Sequence, residues 1–240
     1  MFYEVVVNDW GETTYVPTTL GNLCLVAIII LLLLAAFLFA RRRSANAIAQ
    51  TAAGPDLTFA AAKKRRLNVA QLTFCAAAIA LGTILSNIKL FSFPTGGSIT
   101  LLSMLVICLP GYWFGLGAGI MTGIAYGVLQ MLVDPYILFP AQLVVDYLLA
   151  FGALGLSGFF CNKKNGLMKG YLVGILGRFV FAVLSGWIFF GMYAWDGWNP
   201  LLYSVVYNGI YIFSEAIVTI LIISLPPIKK ALNRIKVTMG

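Results

Sequence analysis

Residues 20–40 read LGNLCLVAIIILLLLAAFLFA, and this stretch is followed directly by Arg41, Arg42 and Arg43. A membrane-spanning helix needs about 20 mostly apolar residues, so the run predicts a transmembrane helix. A cleavable signal peptide carries its positive charges before the apolar stretch, whereas here they follow it. The pattern is therefore typical of an uncleaved anchor whose N-terminus lies outside.

The composition of the whole chain also indicates a membrane protein. Of its 240 residues, 61% are apolar and only 10% are charged, whereas a soluble domain has about 25% charged residues. Histidine is absent, which excludes histidine-based metal sites, Ser-His-Asp triads and Cys-His pairs. The four cysteines have no Cys-x-x-Cys spacing and are predicted to be packing residues. We therefore expect no metal site and no cofactor.

Six further apolar stretches are predicted to cross or enter the membrane, which gives an all-α, polytopic helical bundle. They are Val69–Leu85, Ile99–Pro110, Leu116–Val133, Phe139–Phe160, Gly170–Phe190 and Leu201–Leu225. The stretch that ends at Pro110 is short and runs into Leu-Pro-Gly. We therefore expect a broken or shallow helix there.

The basic residues predict how the chain is oriented in the cell membrane. Fourteen of the 16 Lys and Arg residues lie in the segments 41–43, 63–66, 163–169 and 229–236. By the positive-inside rule these segments face the cytoplasm, which leaves the N-terminus outside and the C-terminus inside. Because the orientation in the membrane explains where the basic residues lie, we expect the protein to be surrounded by membrane lipid. We expect no nucleic-acid partner.

The same features divide the chain into four predicted parts. Residues 1-43 are the N-terminal segment with an extra transmembrane anchor, and residues 44-66, which are small and polar with a Gly-Pro break, are a cytoplasmic linker. Residues 67-228 form a six-helix membrane domain, and residues 229-240 form a basic cytoplasmic tail. No internal repeat is evident.

Polar residues inside the predicted spans mark a candidate binding site. Asp146 and Asn208 each lie seven residues into a span that enters from the outside, which places both roughly 10 Å below the outer boundary. Gln130, Tyr126 and Phe190 lie near the outer ends of two other spans. Because a charged side chain is costly in lipid and usually faces a cavity, Asp146 is predicted to be functional.

Aromatic residues surround Asn208 along the chain. They are Tyr193, Trp195, Trp198, Tyr203, Tyr207 and Tyr211. An interfacial belt accounts well for single aromatic residues such as Trp10, and less well for this cluster. A carboxylate, an amide and several flat rings together suit a small, flat, partly cationic ligand with N–H donors.

Two other charged residues, Arg178 and Glu215, lie inside spans. Glu215 is interpreted either as a buried neutral acid or as the partner of Arg178. An intramembrane enzyme that uses Asp146 and Glu215 is an alternative from a different class, but neither acid has a Ser-Lys or HExxH-like partner, so no enzyme is expected. A purely structural membrane subunit is a further alternative.

Small residues recur every four positions in the first span after the linker. The pairs are Thr73/Ala77, Ala76/Ala80 and Ala78/Gly82. Such spacing lets helices approach closely in lipid, and it is explained either by packing within the bundle or by a face for another membrane subunit. The chain has no GxxxxGK[ST] phosphate loop, so it cannot bind ATP in that manner.

Five blocks of sequence together resemble the thiamine-specific (ThiT/YuaJ-type) S components of energy-coupling-factor (ECF) vitamin transporters. The blocks are GGSITL at 96–101, PAQLVVDY at 140–147, AFGALGLSG at 150–158, YAW at 193–195 and YSVVYNG at 203–209. The resemblance extends from about Leu67 to Leu225 in matching order, and it leaves out the first helix.

The resemblance implies a six-helix membrane subunit that captures thiamine in an outward-facing pocket and works with a separate coupling subunit and ATPase subunits. It implies that Asp146 hydrogen-bonds the aminopyrimidine ring. The expected substrate-binding residues are Asp146, Tyr147, Tyr203, Asn208, Trp195, Trp198, Phe190, Gln130 and Tyr126. The small residues expected to face the coupling subunit are Thr73, Ala76, Ala77, Ala80 and Gly82.

Two positions depart from the pattern of that family. Some members carry a histidine in the helix before the Tyr-Ala-Trp block, where this chain has Ala182. Many carry another before the Pro-x-Gln segment, where this chain has Phe139. Without these donors the pocket is expected to hold thiamine more weakly, or to prefer a related pyrimidine or another vitamin.

Overall fold

The computed structural model describes residues 3–7, 13–17, 67–93, 97–135 and 140–239. The predicted anchor at residues 20–40 and the predicted linker lie outside the described residues, as do Trp10 and Phe139. The chain separates into two units, Met1–Arg66 and Leu67–Gly240. In the first unit, β1 (Tyr3–Val7) pairs antiparallel with β2 (Thr13–Pro17), as expected for segments rich in Val, Thr and Tyr.

The second unit is a helical bundle with one short hairpin. Its regular helices are α1 (Val69–Asn87), α2 (Ser103–Phe114), α3 (Leu116–Val133), α5 (Gly166–Phe189), α6 (Pro200–Ser224) and α7 (Pro226–Met239). Between α3 and α5 lies α4, a continuous helical segment made of Pro140–Gln142, a π-helical part Leu143–Leu149, Ala150–Leu154 and a 3₁₀ part Gly155–Phe160.

The predicted fold class is confirmed. Five of the described helices are long and apolar enough to cross a membrane, namely α1, α3, the Leu143–Phe160 part of α4, α5 and α6. Helix α2 is apolar and has only 12 residues, as expected for a short element, but it continues through Pro110 to Phe114, so the break expected at Pro110 is wrong. Two of the long helices have sequence signals at their N-termini: Asn68 and Gln71 form a capping box at the start of α1, and Asn199 caps α6 ahead of Pro200.

The predicted start of this short element is also wrong. The helix expected to begin at Ile99 begins at Ser103, because Ser98–Thr100 forms strand β4 and pairs with β3 (Lys89–Ser92). Leu102 ends the extended segment with a left-handed backbone, φ 61°. This hairpin brings polar residues of the α1–α2 connection against the bundle.

Residues 226–239, which include most of the predicted basic tail, form helix α7 and pack on the end of α2. The Tyr112 hydroxyl donates to Asn233 Oδ1 at 2.6 Å, and Trp113 Nε1 donates to the Leu232 carbonyl at 3.3 Å. The Lys236 ammonium lies 4.3 Å from the centroid of the Tyr112 ring. Burial lowers the pKa of Lys236.

The core of the bundle packs around α2, which is buried along most of its length. Cys75 and Cys108 are buried without a disulfide, as predicted for packing residues, and Cys161 is half-buried. The glycines of α3 bring it close to its neighbours: a Cβ at Gly119 would lie 2.7 Å from both Gly111 Cα and the Gly155 carbonyl oxygen. Small residues therefore set the helix spacing here.

A methyl group at Gly119 is expected to destabilise the bundle. Because the Cβ would meet backbone atoms of α2 and α4, Gly119→Ala should lower the free energy of unfolding by about 1–3 kcal/mol. Gly117 lies on the same helix with open space around its Cβ position. Thermal unfolding of the purified protein should therefore show a lower midpoint for Gly119→Ala and an unchanged or higher one for Gly117→Ala; equal midpoints would contradict close packing at Gly119.

Candidate ligand-binding site

A cavity of about 200 Å³ lies inside the bundle, and its walls come from α1 to α6 and the hairpin. Seven of the nine predicted binding residues line it: Asp146, Tyr147, Tyr203, Asn208, Phe190, Gln130 and Tyr126. The structure thus brings together residues that are up to 82 positions apart in the sequence, from Tyr126 to Asn208.

The other two predicted residues, Trp195 and Trp198, do not line the cavity. They lie beside it, at the connection between α5 and α6, with 47% and 41% of their surface exposed. The Trp195 ring packs edge-to-face on Tyr203, with ring centroids 5.2 Å apart, and on Trp198, with centroids 4.9 Å apart. Trp195 therefore packs on Tyr203, Trp198 packs on Trp195, and neither lines the cavity.

Asp146 reaches the cavity from the π-helical part of α4. A π-helical turn contains one more residue than an α-helical turn, and such turns are frequent at functional sites. The polar side chains beside its carboxylate are Gln142 and Ser185, which are 1% and 0% exposed. The carboxylate therefore lies among buried polar side chains inside the bundle, where hydrogen bonds are stronger than in water.

The Asn208 amide is held in place by its neighbours. Its Nδ2 donates to the Ser204 carbonyl oxygen at 2.9 Å and to Ser204 Oγ at 3.1 Å, and the Tyr211 hydroxyl donates to its Oδ1 at 2.6 Å. A Cβ at Gly186 would lie 3.0 Å from Asn208 Nδ2, so this glycine on α5 allows the amide to approach. Asn208 is preorganised in the cavity wall.

Hydrogen bonds and one ion pair connect the elements at the end of the cavity beside the hairpin. Gln130 Nε2 donates to Ser86 Oγ at 2.7 Å, which links α3 to α1. Lys89 of β3 forms an ion pair with Asp134, directly after α3. The Tyr147 hydroxyl donates to the Asp134 carbonyl oxygen at 3.4 Å. These contacts fix the hairpin against α3 and α4.

Aromatic rings of α6 form one wall of the cavity. Tyr203, Tyr207 and Tyr211 are spaced four residues apart and line it. The ring centroids of Tyr203 and Tyr207 are 5.4 Å apart, and Phe93 of the hairpin packs on Tyr207 at 5.3 Å. Three of the six residues in the predicted aromatic cluster therefore line the cavity. Stacked aromatic surfaces suit a flat or cationic ring.

Glu215 is part of the cavity wall, although the sequence left its role open. It is 3% exposed, and its carboxylate accepts hydrogen bonds from Thr100 Oγ1 at 2.5 Å, Ser103 Oγ at 3.1 Å and the Met104 backbone N–H at 3.0 Å. It forms no ion pair with Arg178, because no Lys or Arg of the described residues lies within 4 Å of it. Hydroxyl residues in the apolar run 100–103 are the signal that could have pointed to these contacts.

Arg178 also lines the cavity, on α5. Its guanidinium carbon lies 4.3 Å from the centroid of the Phe151 ring. This cation–π contact places the positive charge against α4, the helix that carries Asp146. The interpretation of Arg178 as the partner of Glu215 is therefore wrong.

The small residues of α1 divide into two sets. Thr73, Ala76, Ala77 and Ala80 are exposed, whereas Gly82 is buried. A Cβ at Gly82 would lie 2.8 Å from Ile107 Cδ1, and the Tyr126 hydroxyl donates to its carbonyl oxygen at 3.4 Å. Gly82 therefore serves packing inside the bundle and does not belong to the exposed face.

The apolar helices define a multi-pass membrane protein. The cavity between them is lined by carboxylates, amides and aromatic rings, which suit a small polar ligand. Comparison with known proteins identifies the family of membrane proteins to which the chain belongs. The family model "Thiamine transporter protein (Thia_YuaJ)" matches residues 72–234, which include every lining residue named above. The chain belongs to this thiamine transporter family, as the resemblance of the five sequence blocks predicts.

Two relatives support the same assignment. The chain is 30% identical over 176 residues to the thiamine transporter ThiT of Bacillus subtilis, which covers 68% of this chain and 91% of that protein. It is 27% identical over 138 residues to the thiamine transporter ThiT of Lacticaseibacillus paracasei, which covers 52% of this chain and 67% of that protein. These relatives indicate a transport protein and not an enzyme.

Proposed function

We propose that this chain is the substrate-capturing subunit of an ECF-type vitamin transporter and that it binds thiamine from the outside. The observation that carries the proposal is the cavity, in which Asp146, Asn208 and Tyr203 of a thiamine transporter family member lie together. A separate transmembrane coupling subunit and ATPase subunits would complete the transporter, and the absence of a phosphate loop from the sequence agrees with this division of labour.

The chemistry of the cavity supports thiamine as the ligand. The Asp146 carboxylate can accept charge-assisted hydrogen bonds from the amino group of an aminopyrimidine, and the tyrosines of α6 offer flat surfaces to both rings. The lining contains three carboxylates and two cations; the carboxylates are Asp134, Asp146 and Glu215, and the cations are Lys89 and Arg178. When all five are ionised the lining has a net charge of −1, which matches the single positive charge of thiamine.

Ala182 supports a second candidate ligand within the same class. It lines the cavity at the position where the family resemblance expects a histidine, so one hydrogen-bond donor is missing from the wall. A thiamine-related pyrimidine or another vitamin is therefore the competing substrate.

The distribution of charge supports the proposed orientation. Of the described residues, seven basic ones lie in the α4–α5 connection, at the start of α5 and on α7, whereas Lys89 lies at the other end of the bundle, in the hairpin. The seven are Lys163, Lys164, Lys169, Lys229, Lys230, Arg234 and Lys236. By the positive-inside rule the first group faces the cytoplasm and the cavity end near Lys89 faces outside. We further propose that residues 1-43 supply an extra anchor and residues 44-66 a cytoplasmic linker.

Uptake in cells tests whether this chain only binds thiamine and separate subunits drive its transport. Cells that lack their own thiamine uptake should accumulate labelled thiamine when they express this chain together with ECF coupling and ATPase subunits. Cells that express the chain alone should bind the vitamin without accumulating it. Accumulation by the chain alone would contradict the S-component proposal, and preferential uptake of a different pyrimidine in a competition assay would favour the second candidate.

Trp195 is expected to contribute to binding indirectly. Because its ring packs on Tyr203 and does not line the cavity, Trp195→Ala should weaken thiamine binding by about 0.5–1.5 kcal/mol, roughly two- to twelvefold. Trp113→Phe is the control, since Trp113 packs at the opposite end of the bundle against Leu232. The measurement is calorimetric titration of both variants. A loss as large as that of a direct contact would show that Trp195 turns into the cavity when ligand is bound.

A further inference from the structure

Glu215 is a buried acid that the proposed contacts to the aminopyrimidine do not use. Its three hydrogen-bond donors come from one short region, the end of β4 and the first turn of α2. Backbone N–H groups at a helix N-terminus stabilise an anion, and these three donors fix the Glu215 carboxylate at the start of α2. The side chain of Leu102 does not cap the N-terminus of α2. The carboxylate of Glu215, which belongs to α6, caps it instead.

Glu215 lies some distance along α6 from the end of the cavity that contains Asp146. It lies seven residues after Asn208, which is two helical turns on the same face and about 10 Å along the axis. Tyr211 lies between the two, and its hydroxyl is bonded to Asn208. All three residues line the cavity, so α6 presents an amide, a ring and a carboxylate in that order.

The two cations of the cavity lining, Lys89 and Arg178, make their close contacts with groups other than Glu215. Lys89 is paired with Asp134 at the outer end, and Arg178 lies on the Phe151 ring of α4. No Lys or Arg among the described residues lies within 4 Å of the Glu215 carboxylate. A buried anion without a counter-charge is costly, and a cation brought by the ligand would relieve that cost.

We infer that Glu215 is the counter-charge for the cationic ring of the ligand and thereby determines specificity for a cation. The inference rests on the proposed function. The ligand lies lengthwise in the cavity, with its aminopyrimidine at Asp146 and its positively charged thiazolium ring toward Glu215. The two carboxylates then recognise different parts of one molecule.

The test compares two probes on the full-length protein in detergent. One is thiamine, and the other is 4-amino-5-hydroxymethyl-2-methylpyrimidine, which has the same aminopyrimidine and no charge. Glu215→Gln keeps the size of the side chain and an oxygen that can accept from Ser103 and Met104, but it removes the charge. The ratio of the dissociation constants for thiamine and the pyrimidine should rise at least tenfold in Glu215→Gln, which corresponds to about 1.4 kcal/mol.

Two variants serve as controls for this ratio. Thr100→Val removes a donor to Glu215 and keeps the charge, so it should leave the ratio unchanged even where it lowers stability. Asp146→Asn should weaken both probes and leave their ratio within about threefold of the wild type.

The possible outcomes separate the inference from the proposed function. A wild-type protein that binds thiamine together with an unchanged ratio in Glu215→Gln would show that Glu215 only caps α2, and would overturn the inference alone. A wild-type protein that binds neither probe would overturn both. If Glu215→Gln does not fold, the wild-type complex decides: a thiazolium ring within about 6 Å of the Glu215 carboxylate supports the inference, and one farther away overturns it.

Discussion

Asp146→Asn is expected to weaken thiamine binding at least thirtyfold. The substitution keeps the shape of the side chain but replaces one acceptor oxygen by a donor, which would face the amino group of the ligand. Losing one partner of a buried, hydrogen-bonded charged contact costs about 2–5 kcal/mol, and the lower value corresponds to about thirtyfold. Calorimetric titration of the purified variant measures the loss.

The matched control is Asp196→Asn. Asp196 is exposed and does not line the cavity, so its substitution removes a negative charge without touching the site. Its affinity for thiamine should equal that of the wild type. If both variants bind equally well, Asp146 does not anchor the ligand and the proposed site loses its main polar contact.

Ala80→Trp is expected to abolish transport while thiamine binding is retained. Ala80 lies on the exposed face of α1 with Thr73, Ala76 and Ala77, and the four small side chains would allow a helix of the coupling subunit to approach closely. An indole at this position would hold that helix away without reaching the cavity. Uptake in cells that also express the coupling and ATPase subunits should fall to background, and co-purification of the coupling subunit should be lost.

Ile217→Trp is the control for bulk on a lipid-facing surface. Ile217 is 60% exposed on α6, so an indole there should leave both transport and binding intact. Normal transport by Ala80→Trp would place the docking face elsewhere. Loss of ligand binding together with transport would instead mean that the α1 face packs against another part of this chain.

The long helices could be predicted from the sequence because each depends on its own apolar run. The start of α2 could not, because residues 98–100 form a strand only where β3 lies beside them. The role of Gly82 could not be predicted from the sequence either, because its spacing matches that of Ala76 and Ala80. Only the position of Ile107 beside it shows that Gly82 belongs to the core.

The depth of the candidate site residues in the membrane could be predicted from the sequence, but their contacts could not. Counting residues from the span ends placed Asp146 and Asn208 at the same depth, and both line the cavity. The direction in which a side chain points was not predictable: Trp195 packs on Tyr203, and Trp198 packs on Trp195. The donors to Glu215 are 111 to 115 positions away in sequence. Nothing in residues 143–149 alone indicates the π-helical turn that carries Asp146.

Determining the structure of the full-length protein with bound thiamine tests the central claim most directly. The account predicts one thiamine molecule in the cavity, with its amino group within hydrogen-bond distance of the Asp146 carboxylate and its rings against the tyrosines of α6. An empty cavity at saturating thiamine, or thiamine bound at another surface, would contradict it.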